Sequence, residues 1–175
     1  MSQPIPREVS FTGVRVTLDS HKSFDDLAAA LLDDVGDKPA SLSDYVSTSA
    51  DWDQYQEQIQ SRVGPSGFML FKLFDHTDWI NIAGIHRKLL RAIIGNPLIA
   101  ITMLRHDVKA GLFAPVELLL AEEDDNRSSL TYVKPSSLVV VETNQALLEA
   151  AQGLDVKLAV QRTDREVSDV DVPVV

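Results

Sequence analysis

Cysteine is absent from this chain of 175 residues, which excludes disulfide bonds, thiolate nucleophiles and zinc–thiolate sites. No apolar run approaches the roughly 20 residues that a membrane-spanning helix requires, so we expect no membrane partner. The first residues, Met1–Pro6, lack the basic and then apolar pattern of a secretory signal. Together these absences predict a cytoplasmic location.

Basic residues are also few, since 16 lysines and arginines stand against 26 aspartates and glutamates and give a formal net charge of −10. Nucleic-acid binding needs a basic surface, because contacts with the phosphate backbone supply most of the affinity. We therefore expect neither a nucleic-acid partner nor an anionic membrane partner.

The short motifs that mark well-known sites are missing as well. The chain has no GxGxxG, P-loop, GxSxG or HExxH motif, which leaves nucleotide-binding, hydrolase and zinc-protease functions without support. His76, His86 and His106 with Glu117 are residue types that suit zinc or iron, but no i, i+4 histidine pair or other ligand spacing joins them. The sequence therefore predicts neither a metal site nor a cofactor.

Hydrophobic residues make up 45% of the chain, and their spacing predicts its helices and strands. Alternating apolar residues predict a strand over Val9–Leu18, interrupted near Gly13. Ser23 and Asp26 resemble a capping box that opens a helix over Phe24–Val35.

The next segment, which contains Pro39 and several serines, has the composition of a loop. Asp51 is placed to cap a second helix over Trp52–Val63. The strand expected over Gly67–Phe74 is apolar on both faces, which indicates a central position in a sheet.

A short helix over Thr77–Ala83 and a strand over Leu89–Ile94 are expected next. Asn96 and Pro97 then combine a favoured N-cap residue with a favoured first helical residue. They predict a helix that extends to about His106, although β-branched residues in this segment favour a strand.

The last third of the chain predicts a hairpin and a helix. Pro115–Glu122 and Ser129–Val133 flank a polar turn, Asp124–Asn126, and are expected to pair as antiparallel strands. A C-terminal helix is expected over Asn144–Gln152, broken at the following glycine and resumed to Gln161.

This order of elements predicts an α+β fold with two layers, a mostly antiparallel sheet and helices largely on one face. We expect one domain over residues 1–162. Residues 163–175 alternate acidic residues with valines, and we interpret them as a flexible acidic tail or as an arm onto a neighbouring subunit.

Asp75 and His76 stand where a predicted strand gives way to a helix, a common position for binding groups. The carboxylate could orient the imidazole as a general acid or base. Adjacent strand residues point to opposite faces, however, so Asp75 is also expected as a helix cap with His76 in a turn.

Glu117 lies inside an apolar strand, where a carboxylate is costly unless it is paired or faces solvent. It is either a pocket carboxylate, paired with Arg105, Lys72 or Arg91 or poised with a raised pKa, or part of a solvated face or a structural ion pair. Tyr132 could donate a hydrogen bond to a ligand oxygen, or serve in cross-strand packing.

Several motifs have the order and spacing of one known family: Asp75-His76, Ala83-Gly84, Gly95-Asn96-Pro97, Gly111-Leu112 with Pro115 and Leu118–Glu122, and Tyr132 with Pro135. Through them the chain resembles the family called domain of unknown function 302 over about residues 64–138, with residues 1–49 additional to its short form. The resemblance implies a compact two-layer α+β fold, a homodimer and no established reaction. It supplies no catalytic residues.

The chain departs from that family pattern at three points. Ile94 replaces the phenylalanine before Gly-Asn-Pro, Ala114 replaces the leucine before Pro115, and Ala100-Ile101-Thr102 stands where the family has Gly-Thr. We therefore expect a divergent, longer branch whose ligand could differ from that of the short members.

Two functions are compatible with the sequence. The first is a pocket for a small organic molecule, with or without cofactor-free acid–base chemistry of the isomerase, dehydratase or cyclase type. Its candidate catalytic residues are His76, Glu117 and Tyr132, and its candidate ligand-binding residues are Asp75, Asn96, Arg105 and His106. The second is a non-catalytic homodimeric interaction or structural module.

Overall fold

The computed structural model describes the backbone of residues 6–166 and the side chains of residues 6–159. Five antiparallel strands form one sheet in the order β1-β5-β4-β3-β2. The strands are Arg15–Ser20 (β1), Met69–Asp75 (β2), Leu89–Gly95 (β3), Val116–Glu122 (β4) and Ser128–Val133 (β5).

Helices occupy every long connection of this sheet and the C-terminal segment. They are Phe24–Val35 (α1), Leu42–Thr48 (α2), Trp52–Gln60 (α3), Thr77–Ile82 (α4), Pro97–Leu104 (α5), Pro135–Val139 (α6) and Gln145–Glu166 (α7), with a 3₁₀ turn at Val108–Leu112. No helix within the described residues is long and apolar enough to cross a membrane.

The core lies between the helices and one face of the sheet, which we call the helix face. From the sheet it takes alternate residues such as Ala92, Ile94 and Leu118, and from the helices it takes the apolar stripes of α1 and α7. The other face, which we call the open face, carries the intervening residues, including Arg91 and Glu117. This arrangement confirms the predicted α+β fold with helices largely on one face of an antiparallel sheet.

Local capping chemistry explains why α1 was predictable. The Ser23 hydroxyl accepts a hydrogen bond from the Asp26 amide, and Gly36 follows the helix with a φ of 90°. All four residues of the predicted stripe are buried, namely Phe24, Leu27, Leu31 and Val35. The hairpin of β4 and β5 is confirmed in the same way, since Asp125 and Asn126 supply the positive φ angles of its turn.

The prediction that the second strand is central was wrong, because β2 forms an edge of the sheet. A β-bulge lies between Leu70 and Lys72, so the alternation of faces changes at Phe71 and apolar residues appear on both sides. Part of its outer edge is covered, since the Ala40 amide donates to the Leu70 carbonyl at 2.7 Å.

The first strand begins later than predicted. Residues 9–14 are not part of β1, which begins at Arg15. At the end of this segment the Val14 amide donates to the Ser137 hydroxyl and the Val14 carbonyl accepts from the Lys134 amide, each at 2.8 Å. These bonds anchor the segment to α6, which the sequence analysis did not predict.

Two helical predictions also need correction. The serine-rich segment after Pro39 is not all loop, because it contains α2. The break at Gly153 is absent, since α7 continues to Glu166. Burial of Ala151 and Leu154 on either side of the glycine offsets a helix penalty of about 1 kcal/mol. The predicted tail is therefore helical over residues 163–166, and residues 167–175 lie outside the described part.

Asn96 lies between β3 and α5, and both ends of its side-chain amide form hydrogen bonds. Its side-chain oxygen accepts from the Leu98 amide at 2.8 Å and caps α5, which confirms the predicted helix start. Its side-chain nitrogen donates to the Gly67 carbonyl at 2.8 Å, which fixes the entry into β2. One residue thus ties the ends of two neighbouring strands together.

We expect Asn96→Ala to lower the free energy of unfolding by about 2 kcal/mol, roughly half from the cap and half from the bond to Gly67. Asn96→Ser keeps a capping oxygen and loses the donor to Gly67, so it should fall between Asn96→Ala and the parent chain. Urea denaturation followed by circular dichroism measures all three. Equal stability of the two variants would show that the cap contributes nothing.

Candidate functional site

Two cavities lie at the same end of the sheet, where β3 and β5 end and β2 and β4 begin. The first, which we call the helical cavity, has a volume of about 600 Å³ and lies among α2, α3, α5 and the β3–α5 turn. The second, which we call the sheet cavity, has a volume of about 610 Å³ and lies at the start of β4 and the end of β5. Pro115 lines both of them.

The walls of the helical cavity come from elements that are far apart in the sequence. Leu42 and Val46 lie one turn apart on α2 and face the same space, and both are exposed. Trp52 and Tyr55 on α3 stack with their ring centroids 5.5 Å apart. The remaining apolar walls are Ala50, Phe71, Pro97, Ala100, Ile101, Leu104, Ala114 and Pro115.

Two side chains that line the helical cavity, Phe71 and Pro115, pack where Gly95 has no side chain. A Cβ atom at this position would lie 2.8 Å from Cε2 of Phe71 and 3.0 Å from Cβ of Pro115. The need for glycine here is steric, because the ring of Phe71 and the ring of Pro115 pack directly over the backbone of β3.

Most polar side chains on the helical cavity are already engaged with backbone. Asn96 caps α5, Asp51 caps α3 by accepting from the Gln54 amide at 2.9 Å, and the Ser49 hydroxyl donates to the Tyr45 carbonyl at 2.7 Å. Burial raises the pKa of the Tyr55 hydroxyl, and the neighbouring Tyr45 raises it further. Tyr55 therefore stays a neutral hydrogen-bonding group at physiological pH.

The sheet cavity has an ion pair among apolar walls. Arg91 and Glu117 are diagonal neighbours on the open face, with Nη2 of the arginine 2.5 Å and Nε 3.1 Å from the same carboxylate oxygen. The guanidinium also lies 5.8 Å from the centroid of the Phe74 ring. The apolar walls include Phe113, Leu119, Val133 and Leu138.

Among the predicted catalytic residues, Glu117 and Tyr132 line the same cavity. They do so from different faces of the sheet, because Tyr132 pairs with Leu118, the residue after Glu117. Tyr132 is 7% exposed and belongs to the core, whereas Glu117 is exposed on the open face. Of the three partners considered for Glu117, Arg91 is the one that pairs with it.

Asp75 and His76 lie outside both cavities, at the end of β2. The Asp75 carboxylate accepts from the Thr77 amide at 2.8 Å, and hydrogen bonds from the Thr77 side chain and amide hold its pKa below the usual value. Nδ1 of His76 accepts from Nε1 of Trp79 at 3.0 Å, and its ring stacks on Phe74. The two side chains are thus engaged with different neighbours.

The other predicted ligand-binding residues, Asn96, Arg105 and His106, do not lie at one common site. Asn96 lines the helical cavity. Arg105 and His106 lie just after α5, are exposed and line neither cavity. Nε of Arg105 donates to the Ile101 carbonyl at 3.2 Å. Within residues 6–159 there is no cluster of three or more His, Asp or Glu side chains that could hold a metal ion.

The sequence analysis missed the aromatic and apolar residues that build the helical cavity. Trp52, Tyr55 and Phe71 were seen only as residues of periodic elements, and α2 was not predicted. The Gly95-Asn96-Pro97 motif indicated the position of this cavity, because Asn96 and Pro97 line it.

The family model described as "Domain of unknown function DUF302" matches residues 44–161. This chain belongs to the DUF302 family. The match extends the resemblance beyond residues 64–138, and apart from Leu42 it includes every residue that lines the two cavities of this DUF302 protein.

A solved structure supports the same fold. The uncharacterized conserved protein DUF302 from Bacillus stearothermophilus is similar with a TM-score of 0.59 and 20% sequence identity, over 87% of this chain and 97% of that one. At this identity the similarity shows the fold alone. No curated protein matches the chain.

Gly95→Ala should lower the free energy of unfolding by about 1–3 kcal/mol, because the added methyl group must displace Phe71 or Pro115. Gly153→Ala is the matched control, since its Cβ meets nothing within 4 Å and α7 gains a better helix former. Thermal and urea unfolding compare the two variants. A Gly95→Ala protein as stable as the parent would contradict the steric account.

Proposed function

We propose that this DUF302 protein binds a small, uncharged organic molecule with an apolar body in the helical cavity. The observation that carries the proposal is the cavity itself, which has a volume of about 600 Å³ and walls that are mainly aliphatic and aromatic. Small-molecule sites have volumes of roughly 300–1,000 Å³ and mostly apolar linings.

The charge of the ligand follows from the groups that line the cavity. Asp51 is the only residue with a formal charge among them, and its carboxylate already caps α3. An anionic ligand would lose its hydration there without gaining a cationic partner, which is unfavourable. A cationic ligand would have only the single Asp51 carboxylate, one oxygen of which already accepts from the Gln54 amide. Tyr55 supplies a neutral hydroxyl for one hydrogen bond, and the stacked rings of Trp52 and Tyr55 supply a flat surface.

A cofactor-free acid–base reaction is the more specific form of this proposal. Its support is that Glu117 and Tyr132 both line the sheet cavity. Binding has the stronger support, because these two side chains lie on different faces of the sheet and His76 lies apart from both. The composition further supports a cytoplasmic protein whose partner is not a polyanion, since cysteine is absent and the net charge is −10.

Binding can be measured with N-phenyl-1-naphthylamine, an uncharged fluorophore that brightens in apolar surroundings. We expect the parent chain to bind it and Ala100→Phe, which fills the helical cavity, to bind at least about tenfold more weakly. Ala146→Phe on the exposed side of α7 is the matched control and should bind like the parent.

Tryptophan emission gives a second, independent readout of probe binding. The chain has 2 tryptophans, so Trp79→Phe leaves Trp52 at the helical cavity as the only one. The probe should quench Trp52 in this variant by energy transfer. Equal probe binding by the Ala100→Phe and parent chains would contradict the proposal, as would unchanged Trp52 emission.

The second candidate function is a non-catalytic homodimeric module. The observation that favours it is the open face, since the core cluster takes its sheet residues from the helix face. Ile93, Leu119 and Val133 on the open face are only half-buried, and Phe74 is 38% exposed. A second copy of the chain would cover this surface.

Sedimentation velocity tests the dimer directly. This candidate function predicts that the parent chain sediments as a dimer at micromolar concentration and that Leu119→Lys shifts it to the monomer, because an unpaired ammonium group would be buried at the centre of the open face. Val156→Lys, on an exposed position of α7, should leave the dimer intact. A parent chain that stays monomeric would remove this candidate.

A further inference from the structure

We propose that the sheet cavity is a second binding site, and that it takes a small zwitterion with a large apolar group, such as a free α-amino acid with an aromatic side chain. The proposal does not depend on the helical cavity, because it rests on a different set of residues. Only Pro115 is shared between the two linings.

The first argument is the position of the Arg91–Glu117 ion pair. These are the only two residues with formal charges among those that line the sheet cavity, and their side chains are 39% and 55% exposed. An ion pair with this exposure contributes little to stability, so folding alone gives little reason to place both charges here.

The second argument is the bonding that the pair leaves open. Nη2 and Nε of Arg91 both approach the same oxygen of Glu117, Oε2. The guanidinium has five N–H donors and the carboxylate two oxygens, so each partner keeps hydrogen-bonding capacity beyond the pair. A ligand carboxylate can therefore bind Arg91 while a ligand ammonium binds Glu117.

The third argument is selectivity by charge. A ligand with only a carboxylate gains from Arg91 but is repelled by Glu117, and a ligand with only an ammonium group meets the reverse. A zwitterion carries both charges close together and so complements the pair at both ends. It is also neutral overall, as the pair is.

The fourth argument is the apolar part of the cavity. Phe113, Leu119, Val133 and Leu138 surround the space next to the pair, within a volume of about 610 Å³. The guanidinium carbon of Arg91 also lies 5.8 Å from the centroid of the Phe74 ring, within cation–π range. The charged end of the site is thus positioned before a ligand arrives.

Three compounds with the same phenyl ring test this inference. Phenylalanine carries both charges, 3-phenylpropionate only the carboxylate and phenethylamine only the ammonium group. Titrations of ¹⁵N-labelled protein at low ionic strength, followed by amide shifts of Ile93, Glu117 and Thr131, give the three affinities. We expect phenylalanine to bind at least about tenfold more tightly than either analogue.

Two variants should reverse the preference in opposite directions. In Arg91→Gln the remaining Glu117 favours phenethylamine, and in Glu117→Gln the remaining Arg91 favours 3-phenylpropionate. Loss of folding cannot produce such opposite reversals. Arg105→Gln, an exposed arginine outside the cavity, is the matched control and should behave like the parent chain.

The outcomes separate this site from the helical cavity. Ala100→Phe should leave phenylalanine binding unchanged, since Ala100 does not line the sheet cavity. The inference is overturned if phenylalanine causes no shifts at millimolar concentration, if all three compounds bind equally, or if Ala100→Phe abolishes the binding.

Discussion

The close packing of Phe71 and Pro115 over Gly95 is the contact on which this end of the molecule depends. The β-bulge at Phe71 inserts one residue into β2, and its ring then lies across β3 where glycine leaves room. Pro115 packs on the same glycine and leads into β4. The two side chains that this glycine admits both line the helical cavity, and Pro115 lines the sheet cavity as well.

Helices and turns that are fixed by capping or turn residues close by in the sequence were predictable. The capping box of α1, the Asn96 cap of α5 and the turn between β4 and β5 each satisfy backbone groups with nearby side chains, so the pattern carries the structure. The order of the strands was not predictable in this way, because it depends on pairing between segments that are far apart in the sequence. The bulge in β2 gave an edge strand the two-sided apolar pattern of a central one.

The candidate sites were predictable only in part. Glu117 was conspicuous because a carboxylate in an apolar strand requires a partner, and Arg91 was one of three considered. The helical cavity was not found, since it arises where α2 and α3 meet α5 across about fifty residues of sequence. Periodicity describes one face of one element and contains no information about which faces meet.

The two cavities differ in polarity for a reason that lies in their secondary structure. Side chains at helix starts reach nearby backbone amides, so Asp51 and Asn96 are consumed as caps and the helical cavity is left without an available charge. Arg91 and Glu117 lie inside strands, where the neighbouring amides take part in the hydrogen-bond ladder of the sheet. Arg91 and Glu117 pair with each other across two strands, and the sheet cavity therefore has a charged pair on its wall where the helical cavity has capping side chains.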